Sequence, residues 1–98
     1  MHEYFELKEQ IVNLLTRNGF DETHPHTNSD VYGSMYCVYS KNDERFMIEW
    51  DGEEGFGNVQ RWLGDNQWEI LKPLIVESSR EAFDSQINAL LKVITTHL

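Results

Sequence analysis

Residues 31–51 read VYGSMYCVYSKNDERFMIEWD, and the fold turns on them. The segment 31–40 is rich in β-branched and aromatic residues, the composition of a strand. KNDE at 41–44 supplies turn formers. RFMIEWD then alternates strictly: Phe46, Ile48 and Trp50 fall on one face, and Arg45, Met47, Glu49 and Asp51 on the other. A period of two is that of a strand with one face against a core and one face open. Two such strands joined by a short polar turn predict an antiparallel hairpin.

Toward the C-terminus, GEEGFG at 52–57 is a second turn region and NVQRWL at 58–63 a third, short strand. Gly64, Asp65 and Asn66 turn the chain again. WEILKPLIVE at 68–77 reads as a fourth strand. Pro73 cannot donate to a ladder, which puts that strand at a sheet edge or breaks it there. Ser78, with Glu81 three residues on, has the spacing of a capping box and starts a helix. Phe83, Ile87, Leu90, Leu91, Ile94 and Leu98 form its apolar stripe. Lys92 and His97 lie near its C-terminus, where positive charge is favoured.

Toward the N-terminus, Tyr4, Leu7, Ile11, Leu14 and Leu15 recur at helical spacing, widened by Phe5 and Val12, and predict a helix from about residue 3 to residue 18. Gly19 fits the left-handed position just past a helix end, with Phe20 folding back on Leu15. DETHPHTNSD at 21–30 is polar and turn-rich and reads as a loop. The order is α-β-β-β-β-α. The expectation is an α+β fold: a four-stranded antiparallel sheet with the N- and C-terminal helices packed on one face. The other face would meet water or a partner.

The 98 residues fit a single domain, 1–98. An apolar fraction of 40%, with 12% aromatic, suffices for a core. Seventeen acids against eight bases give a formal charge of −9. That balance argues against nucleic acid and anionic membrane as partners and favours basic proteins. Cys37 is the single cysteine, so no intramolecular disulfide forms and a reducing compartment is expected. The opening MHEYFELKEQ lacks the apolar run of a secretory signal. No segment approaches the ~18 consecutive apolar residues of a membrane span. The expected location is the cytoplasm.

No motif specifies a reaction. GFGN at 55–58 lacks the third glycine of a dinucleotide fingerprint, since Gln60 stands at that place, and no P-loop lysine follows. DGEE at 51–54 lacks the alternating acids of an EF-hand and reads as a solvated turn. His24 and His26 could share a zinc ion, with Asp21, Glu22, His2 or His97 completing the site, but two ligands fall short of a metal signature. Cys37 sits in the most apolar strand and reads as a small buried hydrophobe. Glu49 and Asp51 lie about 7 Å apart on one strand face, a loose match to paired catalytic carboxylates. No catalytic residue, cofactor or metal is expected.

What stands out is EWDGEEGFG at 49–57 and its surroundings. Asp43, Glu44, Glu49, Asp51, Glu53 and Glu54 are six acids in twelve residues, and Trp50, Phe56, Trp62 and Trp68 lie among or just behind them. Aromatic anchors within charged surroundings are typical of protein interfaces. Trp50 shares a face with Phe46 and Ile48 and belongs to the core; Phe56, flanked by glycines, is expected to be exposed. Glu49, Asp51, Glu53, Glu54 and Phe56 are the central candidate contacts, with Asp43, Glu44 and Trp62 beside them.

In length, charge, α+β pattern and this acidic–aromatic stretch, the chain resembles the small acidic immunity proteins that bacteria make against toxins, including those of contact-dependent growth inhibition. The resemblance implies a cytoplasmic inhibitor of a cognate toxin domain, expected to be a nuclease with a basic cleft. An acidic hairpin could occupy that cleft in place of nucleic-acid phosphates. The chain would then be a monomer in its free state. Type III secretion chaperones are also small, acidic and α+β, and imply the alternative: a homodimer holding an effector segment.

Overall fold

The computed structural model describes residues 3–28, 34–76 and 78–98, and the side chains of all of these except 24–28. The elements in chain order are α1 (Glu3–Arg17), β1 (Asp21–Asn28), β2 (Met35–Lys41), β3 (Glu44–Asp51), β4 (Phe56–Gly64), β5 (Gln67–Val76) and α2 (Arg80–Thr95). The strands form one five-stranded sheet in the order β1-β2-β3-β4-β5, with every neighbouring pair antiparallel. The fold is α+β, with five strands where the sequence pattern predicts four.

The fifth strand lies in the segment expected to be a loop. Asp21–Asn28 pairs with β2 despite its polar composition, Asp21 opposite Ser40 and Asn28 opposite Met35. The register shifts between His24 and Thr27, around Pro25. β1 is an edge strand, the position in which a sheet tolerates proline and such irregularity. β5 is the opposite edge, in line with the placement expected from Pro73. The start of the expected first strand, 31–33, lies outside the described residues. The turn at 41–44 is tighter than expected. Lys41 pairs with Glu44, and Asn42, at φ 55°, makes the bend with Asp43. Phe56 opens β4 and is half-buried, so it belongs to a strand, not to the preceding turn.

Helix α1 buries Tyr4, Leu7, Ile11 and Leu15. Gly19 follows at φ +88°. Its amide donates to Thr16 O (3.1 Å) and the amide of Phe20 donates to Leu15 O (3.0 Å). This paired closure satisfies the last helical carbonyls and turns Phe20 into the core, as the sequence suggests. Phe5 departs from expectation: at 42% exposure it does not widen the buried stripe. Helix α2 starts one residue later than predicted. Ser79 is the N-cap, accepting from the Ala82 amide at 3.2 Å, whereas the Ser78 hydroxyl donates to Val76 O. Ser79 places alanine, not Glu81, at the third helical position, so no capping box forms. Phe83, Ile87, Leu90 and Ile94 are buried, Leu91 is partly buried, and Leu98 lies past the helix end and is 40% exposed.

Both helices cover the same side of the sheet. Their buried residues join Phe20, Met35, Cys37, Tyr39, Phe46, Ile48, Trp50, Val59, Leu71 and Ile75 in one core. Arg80 ties the helices together: it forms ion pairs with Glu6 on α1 and, at 2.9 Å, with Asp84 on α2. Gly57 lets α1 approach. A Cβ there would lie 2.7 Å from Leu7 Cδ2 and 2.9 Å from Trp50 Cε3, both inside the core.

Candidate protein-binding face

With both helices on one side, the other side of the sheet has no covering element among the described residues. Directly paired residues share a face, so the register defines that open side row by row. Ser40 and Arg45 pair across β2 and β3, and Trp62 and Trp68 across β4 and β5. The Arg45 guanidinium lies 4.3 Å over the Trp62 ring and links the two pairs. The next row is Val38, Met47, Gln60 and Ile70. Tyr36, Glu49 and Asn58 follow, then Asp51, Phe56 and Val76. Ile70 and Val76 are 44% and 43% exposed. Tyr36, Met47, Phe56, Trp62 and Trp68 are half-buried.

The middle of this face is polar and internally bonded. Asn58 Nδ2 donates to Glu49 Oε1 at 3.0 Å. Gln60 Nε2 donates to the same oxygen at 3.3 Å and to Asn58 Oδ1 at 3.0 Å. Asn58 is only 1% exposed and lies outside the helix-side core. The three side chains thus bond to one another and brace the centre of the face. The Trp62 indole donates to Asp65 O at 2.8 Å, which fixes that ring as well. A rigid aromatic with its polar tip satisfied loses little conformational freedom on binding.

The acids singled out in the sequence divide into three settings. Glu49 is held by the amides of Asn58 and Gln60. Asp51 folds its own turn: Oδ1 accepts from the amides of Glu53 and Glu54, each at 3.0 Å, and its carbonyl accepts from Gly55 N at 2.8 Å. Glu53 and Glu54 are exposed in that turn, and Asp43 and Glu44 are exposed where β2 meets β3. These two exposed pairs stand at opposite ends of the eight-residue β3, roughly 24 Å apart at the usual strand rise. The structure brings together Glu49, Asp51, Phe56 and Trp62 on one face and sets the other four acids at its two ends.

Trp50 is 4% exposed and lies in the core, as its alternation with Phe46 and Ile48 predicts. Cys37 is fully buried, and that burial pushes its thiol pKa up. The side chains of His24 and His26, and the whole of His2, lie outside the described residues. Among the described residues no group of three or more His, Cys, Asp or Glu side chains is placed to hold a metal ion. No described helix is long and apolar enough to cross a membrane.

No protein-family model matches the chain, and neither a curated protein nor a solved structure matches it. The site is therefore read from its own chemistry.

Sequence reasoning missed Tyr36, Asn58, Gln60 and Ile70 as members of this face; it set Met47 on the open side of its strand and Trp68 among the aromatics near the acids, without making either a contact. The signal was present. In NVQRWL, Val59 alternates with Asn58, Gln60 and Trp62, the same pattern that separates the two faces of β3. Aligning those alternations across the turn at 52–55 places Gln60 beside Met47 and Asn58 beside Glu49.

Proposed function

We propose that this protein is an inhibitor of the immunity type, which seats a basic toxin domain on the open face of its sheet. The observation that carries the reading is the composition of that face: aromatic and aliphatic side chains around a braced polar centre, with exposed acids at both ends. Five strands of about eight residues present roughly 600 Å² at usual sheet spacings. A standard interface takes about 800 Å² from each partner, so the face and its acidic ends together reach that size. The formal charge of −9 draws basic partners and speeds encounter with them. Trp62, Trp68, Ile70 and Phe56 are the anchors, and Glu53, Glu54, Asp43 and Glu44 the steering charges. Glu49 and Asp51 shape the face. In this reading the protein is no enzyme, and it works in the cytoplasm as a free monomer until it meets the toxin.

The test pairs the protein with the product of the reading frame adjacent to its own, which this proposal expects to end in a toxic domain. Co-expression should rescue growth, and purified protein should bind that domain stoichiometrically. Ile70→Arg, a change at an exposed position, should abolish both effects while leaving the protein folded. Binding that survives Ile70→Arg and Trp68→Ala would remove the open face from the function.

A second reading, a homodimeric chaperone of the type III secretion kind, draws support from the exposure of Ile70 and Val76 on the edge strand β5. Sedimentation equilibrium separates the two: a stable dimer in isolation favours the chaperone, a monomer the inhibitor.

A further inference from the structure

Glu49 stands in the middle of the open face, half-buried, with Tyr36 and Asn58 as its cross-strand neighbours and Met47 next to it along β3. Phe56 and Gln60 flank Asn58 on the same face, diagonal to Glu49. Direct neighbours across a sheet are about 5 Å apart and diagonal ones about 7 Å. Tyr36, Phe56 and Met47 thus border the carboxylate. Its own bonding is one-sided. Oε1 accepts from the side-chain amides of Asn58 and Gln60. Oε2 has no partner among the described side chains, and none of the ion pairs among them involves Glu49. Glu49 differs in this from Glu53, Glu54, Asp43 and Glu44, which are exposed at the ends of the face.

A partner seated on this face covers Glu49 and strips water from it. A charge buried with nothing opposite it is costly, far more so than an exposed one. We infer that Glu49 receives a lysine side chain of the partner, with the ammonium on Oε2 and the methylene stem along Tyr36, Met47 and Phe56. The choice between the two basic side chains follows from the oxygens. A guanidinium fork binds a carboxylate best through two parallel bonds, one to each oxygen, and Oε1 already takes two donors. An ammonium is a point charge that one oxygen satisfies, and its remaining N–H bonds can turn toward the rings. This contact rests on the docking reading and adds discrimination to it. The exposed acids attract many basic proteins, but one without a lysine at this point leaves Glu49 buried and unpaired.

The test uses the intact protein and the product of the adjacent reading frame. Glu49→Gln keeps an oxygen for the amides of Asn58 and Gln60 and removes the charge. It should unfold at a urea concentration close to the parent's. It should nevertheless weaken binding at least about thirtyfold, mainly through faster dissociation, as expected when one member of a buried charge pair is lost. Each interface lysine of the partner is then changed to methionine and measured against both backgrounds. One lysine should weaken binding to the parent strongly and binding to Glu49→Gln by no more than about twofold, the mark of two coupled groups. Should Glu49→Gln fail to fold, the parent complex decides: zero-length carbodiimide cross-linking, which joins a carboxylate to an amine and not to a guanidinium, must link Glu49 to a partner lysine. Ile70→Arg separates the two claims. If it leaves binding intact, the docking face and this contact fall together. If it abolishes binding while Glu49→Gln binds within about twofold of the parent, or while the coupled side chain is an arginine, the docking reading stands and the lysine assignment is overturned.

Discussion

Asn58 Nδ2 donates a 3.0 Å hydrogen bond to Glu49 Oε1 across β3 and β4, at the centre of the uncovered sheet face. The bond makes Glu49 an architectural residue before it is a charge. Removing its side chain strands the amide of the fully buried Asn58, whereas Gln60 Nε2 keeps its bond to Asn58 Oδ1; an unsatisfied buried polar group costs about 1–3 kcal/mol. Glu49→Ala should therefore lower stability by that amount in urea unfolding. The same change at Glu53, whose side chain is exposed, should stay within about 0.5 kcal/mol. Equal effects at the two positions would show that the polar centre does not hold the face.

The exposed acids carry a kinetic prediction. Reversing Glu53 and Glu54 to lysine should slow association with the basic partner and flatten its dependence on salt, leaving dissociation nearly unchanged. Stopped-flow association at several ionic strengths measures both. An unchanged rate and salt slope would take this end of the face out of the steering.

Gly57 predicts a packing penalty. A methyl group there meets Leu7 and Trp50 below normal contact distance, and both neighbours are locked in the core. Gly57→Ala should destabilise by about 1–3 kcal/mol, the usual cost of overpacking. A companion Leu7→Ala change should give back less than its own separate cost would imply, because the two sites share one contact. Full additivity in that cycle would mean that α1 does not press on Gly57.

Stability should fall at alkaline pH. Burial pushes up the pKa values of Cys37, Tyr4 and Tyr39. Each group is neutral when protonated, and the fold favours that form. The unfolded chain therefore loses these protons first as pH rises. The stabilisation is complete below about pH 8.5, the ordinary thiol value, and declines above it, more steeply past the ordinary tyrosine value near 10. Urea midpoints at pH 7.5 and pH 10 should differ, with the lower midpoint at pH 10, and Cys37→Val should reduce the difference. A constant midpoint across that range would contradict the burial of these groups.

Much of the fold was legible because its signals are local. The alternation of Phe46, Ile48 and Trp50 needs only one strand to be read, and Gly19 with Phe20 closes α1 by contacts within six residues. What escaped depends on pairing. DETHPHTN lacks strand composition and becomes β1 because the edge of β2 offers it a ladder, a contribution that no propensity records. The cap of α2 shifted from Ser78 to Ser79 because adjacent serines differ only in where the preceding strand ends. For the candidate site, the residue types were readable but not their grouping. Glu49 and Asp51 look like two more surface acids until the register sets Asn58 and Gln60 beside one and the turn amides beside the other.

The central claim is that a partner sits on the open sheet face and not on the helices. Cross-saturation NMR of a complex with the proposed toxin partner, detected at methyl groups, addresses it most directly. The account predicts loss of signal at Met47, Ile70 and Val76, with Val12, Leu14 and Leu91 on the helix side unaffected. Loss confined to Val12, Leu14 and Leu91 would contradict it.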